Sequence, residues 1–423
     1  MLFLFLYQTF FLLLLPFFLV NVIYKGLKNK TYLAQFSNRL GLGFNLSKKS
    51  NNVIVIHAVS LGEVIGISNL VSKIDSSYEV MITVNTATGF EKANELFGSN
   101  HKVMYAPWDF FLFVKKFLKD VRPVCILLFE TEIWPYLIHE SRVLGVEVFL
   151  LNGRLSVKSK KNYEMVKPLI TNALNNFSKV FVQTSVHAER FRGLGILKDK
   201  IMVVGSMKYD IEPNKIQNLG NTLPDEVILA ASTHKEEDEI VIEAFKDLKQ
   251  EKLFQGHFVL APRHPERAKD LQNICLRFGL NSRLYTDKQS FDDVDITIIN
   301  VVGIMDDLFQ RSRVTFMGGS LVKRGGHNLI EPAYFGSPIL IGPHTFNFEE
   351  IVDEFISSDA ALLVRNKIEL VNAYRDVIQD ENLATSLSSN AKNIIKKRRG
   401  STVIQLSYIM DIIRINETNI SNY

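Results

Sequence analysis

Carboxylates follow two short apolar runs of this sequence, at points where strands of a parallel sheet would end. The segment HAVSLGEV, residues 57–64, puts Glu63 in the first turn of a predicted helix. A carboxylate at such a position is either a general base or an acid that interacts with the helix macrodipole. The segment ETEIWP, residues 130–135, adds Glu130 and Glu132, which cannot both face the same way on an extended chain. We expect one of the two to face a site.

Two further segments offer groups that bind oxygen-rich or anionic ligands. VNTATGFEKA, residues 84–93, is a hydroxyl-rich turn suited to an oxyanion or a sugar hydroxyl, and helix capping explains it equally well. Residues 151–163 concentrate four cations, which either a solvated face or a site for a phosphorylated acceptor explains. The four are Arg154, Lys158, Lys160 and Lys161.

The second half of the chain carries groups suited to a phosphate. APRHPERA, residues 261–268, holds Arg263 and His264 between two prolines that restrict the backbone. Residues 317–350 contain Gly318 and Gly319, which would let a ligand approach the backbone. In the same stretch Asn328 opens a predicted helix whose N-terminus can receive an anion, and Glu331 is placed to accept hydrogen bonds from ribose hydroxyls or to cap the helix.

Composition excludes several classes of protein. The 423 residues, 47% hydrophobic and 22% charged, are a globular composition with room for two or three cores. The net charge of +4 is too small to argue for a nucleic-acid partner. Cys125 and Cys275 stand in apolar stretches and are predicted to be buried, reduced thiols. The sequence has no P-loop, no strand-borne GxGxxG, no HExxH and no Cys or His pair at ligand spacing, so we predict neither a metal nor a cofactor.

Apolar patterning predicts the elements that position these groups. From residue 53 onward short β-branched runs alternate with helix-length segments, which predicts an α/β protein of two Rossmann-like domains facing across a cleft. The domains are expected at 25–210 and 224–400, with an aperiodic linker at 211–223 and a C-terminal helix and tail at 401–423. The predicted strands are 53–57, 79–84, 102–106, 124–129, 146–151, 179–182 and 201–204, then 227–231, 258–261, 295–299, 314–317, 339–341 and 360–364.

The first 24 residues are predicted to be a membrane anchor. They carry no charge and, at about 1.5 Å per residue, are long enough to cross a hydrocarbon layer of roughly 30 Å. A signal peptide is the alternative, but no basic residue and no small-x-small cleavage site precede Lys25. Lys25, Lys28, Lys30 and Arg39 follow directly, so the positive-inside rule puts the rest of the chain on the cytoplasmic side of a single-pass anchor. Pro16 also permits a kinked segment that lies in the membrane interface.

Taken in order along the chain, these motifs resemble one family over essentially the whole length. The chain is similar to the 3-deoxy-D-manno-octulosonic acid (Kdo) transferases of lipopolysaccharide biosynthesis. The shared motifs are RLG at 39–41, HAVSLGEV, TATGFE, ETEIWP, NGRLS, GSMKYD at 205–210, AASTHKEE, PRHPER and GGSLVKRGGHNLIEPAYFGSPILIGPHTFNF. Two segments depart from the family pattern: VNTATGF replaces a Thr-Pro-Thr-Gly-Ser turn, and GIM at 303–305 lacks a Glu after its Gly.

The resemblance implies a GT-B glycosyltransferase at the cytoplasmic face of the inner membrane. Such an enzyme moves Kdo, with inversion, from CMP-Kdo to a lipid A precursor (lipid IV-A). It implies that Glu63 is the general base and that Glu130 and Lys208 stabilise the transition state. The implied CMP contacts are Pro262, Arg263, Gly303, Ile304, Met305, Asn328, Leu329, Ile330 and Glu331.

The chemistry of such a transfer agrees with these residues. CMP has a single phosphate, whose charge Arg263, Lys208 and a helix N-terminus can meet, so no metal is needed. Kdo has its own carboxylate, for which Lys323 and Arg324 are candidate partners. Two alternatives stay open, since a fold does not select a chemistry. One is a UDP-sugar transferase or epimerase, and the other is a non-catalytic, membrane-tethered sugar-nucleotide or lipid-binding module in which Glu63 only caps a helix.

Overall fold

The computed structural model describes residues 2–44, 52–212, 223–252, 254, 256–287 and 294–421. They form two compact units. Unit 1 is Met1–Asp210 with Arg399–Tyr423, and unit 2 is Ile211–Arg398. Most of the predicted linker, residues 213–222, lies outside the described residues.

Unit 1 is built on a seven-stranded parallel sheet in the order β3-β2-β1-β4-β5-β6-β7. Its strands are β1 Val53–His57, β2 Glu79–Val84, β3 Lys102–Tyr105, β4 Cys125–Phe129, β5 Glu147–Gly153, β6 Lys179–Val182 and β7 Ile201–Val203. Its helices, numbered along the whole chain, are α1 Leu2–Lys28, α2 Phe36–Arg39, α3 Leu61–Gly66, α4 Ser68–Lys73, α5 Ala87–Phe97, α6 Phe111–Val121, α7 Pro135–Val143, α8 Val157–Glu164, α9 Lys167–Asn176, α10 Ser185–Gly193 and α18 Ser401–Ser421.

Unit 2 repeats this architecture with a sheet of seven parallel strands in the order β10-β11-β9-β8-β12-β13-β14. Its strands are β8 Val227–Thr233, β9 His257–Pro262, β10 Ser282–Leu284, β11 Ile296–Ile298, β12 Ser312–Met317, β13 Ile339–Ile341 and β14 Ala361–Leu363. Its helices are α11 Asp238–Glu251, α12 Ala268–Arg277, α13 Met305–Arg311, α14 Ile330–Phe335, α15 Glu349–Ser357, α16 Lys367–Gln379 and α17 Glu381–Arg398. The predicted fold class, two doubly wound α/β domains of the GT-B type with an apolar N-terminal helix, is confirmed.

Helices cover both faces of each sheet, which is why the strands are apolar without alternation. In β1, Val53 and Val55 belong to one core cluster of unit 1, and Ile54 and Ile56 belong to another. Cys125 in unit 1 and Cys275 in unit 2 are buried and free, as predicted.

The last helix, α18, belongs to unit 1 although unit 2 precedes it in the chain. The buried carboxylate of Asp210 accepts hydrogen bonds from Gly400 N (2.5 Å) and Thr402 N (2.6 Å). Gln405 accepts another from Asn152 N at 3.2 Å. The bonds of Asp210 join the two ends of the unit 2 insertion to each other, and the bond of Gln405 fixes α18 on β5 of the unit 1 sheet.

The N-terminal helix α1 packs along unit 1 rather than projecting from it. Of the described residues it is the one helix long and apolar enough to cross a membrane by length and composition. Tyr7 Oη donates to Asp109 Oδ2 (2.9 Å), and Gln8 Nε2 donates to the Asp109 carbonyl (3.0 Å). Further along, the ring of Phe18 lies 6.0 Å from that of Trp108. One side of α1 therefore contacts the folded unit, while large apolar side chains on other sides stay exposed.

Two details differ from the sequence-based expectations. The predicted helix that contains Glu63 is divided at Ile67 into α3 and α4. The short edge strand β10 was not predicted, because three residues with a central Arg283 carry little apolar pattern.

Candidate active site

Glu63 lies in the first turn of α3, directly after the carboxyl end of β1. Its carboxylate accepts hydrogen bonds from Val59 N (2.8 Å) and Ser60 Oγ (2.9 Å). Burial raises the pKa of Glu63, the two hydrogen bonds lower it in part, and Glu130 raises it further while Lys208 lowers it. Glu63 thus caps its helix and also carries a carboxylate more basic than an ordinary glutamate.

Glu130 directly follows β4 and has a backbone φ of +61°, in the left-handed region that non-glycine residues rarely adopt. Its side chain forms an ion pair with Lys208, with Oε1 3.1 Å from Nζ. The two side chains are 25% and 33% exposed, so the pair is accessible to a ligand. Backbone strain of this kind clusters at functional sites.

Glu132 completes an acidic cluster at this edge of the sheet. It accepts a hydrogen bond from Trp134 Nε1 at 2.8 Å. Burial raises the pKa of Glu132 to about 7; the Trp134 bond opposes this shift, while Glu63 and Glu130 add to it. Both glutamates of ETEIWP therefore interact electrostatically with Glu63. Which of the two faces a ligand stays a prediction.

The hydroxyl-rich turn before α5 makes structural hydrogen bonds. Thr86 Oγ1 accepts a hydrogen bond from Gly89 N (3.1 Å) and donates one to the carbonyl of Val59 (3.0 Å). Thr86 therefore caps α5 and fixes the loop that carries Glu63, which is the capping explanation. In the basic run at 151–163, Lys160 pairs with Glu164 at 2.6 Å on α8.

In unit 2 the predicted phosphate group Arg263 follows β9, and its backbone N–H donates to Thr233 O at 3.0 Å. Two histidines that the sequence did not connect lie nearby. The Nε2 atoms of His234 and His327 are 3.2 Å apart, and their rings are nearly parallel at 5°. Burial lowers the pKa of His327 to about 4, and Arg263 lowers it further. Since one nitrogen of the pair must donate and the other accept, the pair holds one proton between the rings.

Glu331 lies in the first turn of α14, after Asn328, whose Oδ1 accepts Ile330 N at 3.2 Å. Burial raises the pKa of Glu331, and Asp306 raises it too, while Asn328 and Arg263 lower it. Arg263 and Asn328 therefore lie close enough to Glu331 to act on its carboxyl group. The helix has only six residues, so its dipole offers an anion less than the sequence analysis expected.

The remaining predicted CMP contacts lie at the ends of strands and helices, and several of their side chains are buried. Pro262 ends β9, Met305 begins α13, and Gly303 has a positive φ of 91° in the turn before α13. The side chains of Ile304, Leu329 and Ile330 are buried in the core. A nucleotide could meet these three residues only through their backbone atoms.

The glycine-rich loop after β12 is held by a buried carboxylate. Glu237 accepts hydrogen bonds from His234 N (3.0 Å), Leu321 N (3.3 Å) and Gly319 N. A Cβ on Gly318 would lie 2.6 Å from the carbonyl oxygen of Ser232, so packing alone requires glycine at this position. The approach of a ligand to this loop stays a prediction. Lys323 and Arg324 were the candidate partners of the sugar carboxylate, and of these Arg324 already pairs with Glu236. No group of three or more potential metal ligands occurs in the part of the chain that is described.

The family model and the sequence relatives that match this chain carry the same description. The family model for 3-deoxy-D-manno-octulosonic-acid transferase (kdotransferase) matches residues 34–211. The 3-deoxy-D-manno-octulosonic acid transferase of Haemophilus influenzae is 28% identical over 424 residues, covering 97% of this chain and 98% of that protein. The Rickettsia typhi protein of the same name is 30% identical over 358 residues, covering 82% of this chain and 76% of that protein. Among solved structures, UDP-GlcNAc 2-epimerase from Methanocaldococcus jannaschii has a TM-score of 0.52 at 15% identity, covers 81% of this chain and 98% of its own, and shares the fold alone.

Proposed function

Because this chain belongs to the Kdo transferase family of lipopolysaccharide biosynthesis, we propose that it moves Kdo from CMP-Kdo to the lipid A precursor lipid IV-A. The observation that carries the residue assignment is the cluster at the end of β1 and β4. There, a carboxylate of raised pKa, Glu63, lies in the field of the Glu130–Lys208 ion pair. Such a cluster offers a base and a cation at one edge of a sheet.

Glu63 is the general base in this mechanism. The acceptor hydroxyl attacks the anomeric carbon of Kdo, Glu63 takes the hydroxyl proton, and the bonding electrons of the glycosidic C–O bond leave with CMP. A single displacement of this kind inverts the anomeric carbon. Lys208, held by Glu130 at 3.1 Å, supplies positive charge as negative charge develops on the leaving phosphate.

The donor nucleotide binds to unit 2. Arg263 meets the phosphate, and Glu331 accepts hydrogen bonds from the ribose hydroxyls, with Asn328 beside it. Gly303 and Met305 line the site, while Pro262, Ile304, Leu329 and Ile330 contribute backbone atoms because their side chains are buried. Glu63 belongs to unit 1, and the residues proposed to hold the nucleotide belong to unit 2.

The protein associates with the inner membrane through α1 and works at its cytoplasmic face. The exposed apolar side chains of α1 and the basic Lys25 and Lys28 in its last turn support this association. A single-pass span was expected. The bonds of Tyr7 and Gln8 to Asp109 favour instead a helix that lies in the interface, because they tie its N-terminal part to a folded unit.

A donor-selectivity experiment tests this function. The purified full chain is incubated with lipid IV-A and with either CMP-Kdo or UDP-sugars, and the released nucleotide is measured. We expect acceptor-dependent release of CMP only. Release of UDP alone would replace the proposal with a UDP-sugar enzyme, and no release from any donor would leave a non-catalytic binding module.

A further inference from the structure

An apolar groove lies in unit 1 between α1 and the helices α6 and α7. Its volume is about 760 Å³, which is within the usual size range of ligand pockets. Its walls include Phe5 and Leu12 of α1, Phe110 and Phe111 at the start of α6, and Tyr136 and Val143 of α7. None of the residues assigned above to catalysis or to CMP lines it.

One buried carboxylate holds the three helices around this groove. Asp109 accepts hydrogen bonds from Tyr7 Oη (2.9 Å), Tyr136 N (2.9 Å) and Leu137 N (2.7 Å). Gln8 Oε1 accepts Phe111 N at 2.8 Å, which fixes α1 on the first turn of α6. The groove is therefore a defined feature of unit 1, since directional bonds set the spacing of its walls.

The chemistry of the walls selects a hydrocarbon ligand. Leu12 and Phe5 are exposed on the helix that has the length and composition of a membrane segment. Exposed apolar surface of this extent is found where a protein meets a membrane or an apolar ligand. Apart from the tyrosine, five of the twelve lining residues have polar or ionisable side chains, but most of the surface that the groove exposes is apolar. Gln8 and Thr9 are hydrogen-bonded within the protein, and Lys115 and Glu140 lie 3.8 Å apart as an ion pair. An acyl chain matches this lining, because it needs no polar partner.

The start of α7 links the groove to the acidic cluster along the chain. Trp134, whose indole donates to Glu132 at 2.8 Å, immediately precedes α7, and Tyr136 two residues later lines the groove. A lipid whose sugar reaches Glu63 would thus have its acyl chains near this entrance. Resting on the proposed function, we propose that the groove binds one acyl chain of the glycolipid acceptor and so positions the acceptor sugar at the acidic cluster.

Tryptophan fluorescence gives a test that needs no transfer. The chain has two tryptophans, Trp108 and Trp134, and both adjoin segments that line the groove. The full chain is placed in phospholipid nanodiscs that contain either lipid IV-A with brominated acyl chains or a brominated phospholipid at the same mole fraction. We expect saturable quenching by the brominated acceptor, displaced by unbrominated acceptor, and much weaker quenching by the phospholipid.

Matched variants assign the quenching to the groove. Val143→Gln puts a polar amide on the wall, and Val186→Gln makes the same change on α10, away from the groove; the two valines are 65% and 54% exposed. Val143→Gln should weaken acceptor quenching about tenfold and raise KM for the acceptor to a similar degree, since an apolar chain cannot pair with the amide. Val186→Gln should match the wild type, and equal thermal midpoints confirm that both variants fold.

Several outcomes would overturn the proposal. Equal quenching by phospholipid would mean that the groove holds bulk lipid, and unchanged acceptor binding in Val143→Gln would place the acyl chains elsewhere. Failure of the proposed function is a separate result. If the acceptor quenches as expected but no Kdo is transferred, the groove stands and the catalytic assignment falls; if transfer proceeds without acceptor quenching, the reverse holds.

Discussion

Glu63 has two roles in this structure, and Glu63→Gln separates them. Glutamine keeps a side-chain oxygen that can still accept from Val59 N or Ser60 Oγ, so at most one of the two hydrogen bonds is lost. A net hydrogen bond contributes about 1 kcal/mol, which in a domain of this size moves the thermal midpoint by roughly 2–4 °C. The amide cannot take a proton. Loss of a general base lowers the rate by about 10²–10⁴-fold, or roughly 3–5 kcal/mol of barrier.

The assay is transfer of labelled Kdo from CMP-Kdo to lipid IV-A, followed as kcat/KM, with thermal unfolding of the same samples. Ser60→Ala is the control, because it removes a capping hydrogen bond to Glu63 and keeps the carboxylate. We expect Glu63→Gln to lose most activity at a nearly unchanged midpoint, and Ser60→Ala to keep activity within a few-fold. Wild-type transfer by Glu63→Gln, or an equal loss of activity in Ser60→Ala, would exclude Glu63 as the general base.

Four more outcomes follow from the same contacts. Lys208→Met, which removes the cation paired with Glu130, should lower kcat by at least about tenfold while Lys208→Arg retains part of it; equal rates for both variants would contradict a role for the charge. Burial raises the pKa of Glu63, and the base must be ionised to act, so kcat/KM should fall as the pH decreases. The midpoint of this fall should lie above about 4.3, the pKa of a free glutamate, and a profile without such a fall would exclude Glu63 as the base. Arg263→Gln should raise KM for CMP-Kdo by about 10–100-fold with little change in the thermal midpoint, as loss of a charge-assisted hydrogen bond to phosphate requires; an unchanged KM would remove Arg263 from the donor site. Burial raises the pKa of Asp109 to about 6, so the contribution of Asp109 to the free energy of unfolding is present below about pH 4 and is lost as the pH rises to about 6. Urea unfolding should show this loss in the wild type and not in Asp109→Asn, and parallel pH profiles of the two proteins would contradict the prediction.

Most of the sheet architecture was predictable, because the sequence of a buried parallel strand is a continuous run of β-branched and aliphatic residues. The prediction of 79–84 matches β2, Glu79–Val84, and 179–182 matches β6, Lys179–Val182. The missed strand β10 lies at a sheet edge and has three residues, too few to carry a period.

The packing of α1 was not predictable from its composition. Twenty-four uncharged residues predict contact with lipid, and they do not reveal that Tyr7 and Gln8 bond to Asp109, about a hundred positions later in the chain. Tyr7 and Gln8 were the signal in the sequence that this helix has a polar partner in the folded protein. A hydroxyl and an amide placed side by side within an apolar run need polar partners when they are buried.

The site was predictable where a motif is local and unpredictable where it is assembled from distant segments. Glu63 and Ser60, which donates a hydrogen bond to it, lie within four residues, so both explanations of Glu63 could be stated from the sequence. The Glu130–Lys208 pair joins residues 78 positions apart, and the His234–His327 pair joins residues 93 apart. Only the resemblance to a family pointed to Lys208, and nothing in the sequence pointed to the histidine pair.

The mass of the glycolipid after reaction decides whether this chain transfers Kdo to lipid IV-A. Purified full chain, CMP-Kdo and lipid IV-A are incubated, and the intact lipid is analysed by mass spectrometry. We expect a lipid heavier by one or more Kdo residues, formed by the wild type and nearly absent with Glu63→Gln. An acceptor of unchanged mass, even with CMP released, would show that no Kdo is transferred to lipid IV-A.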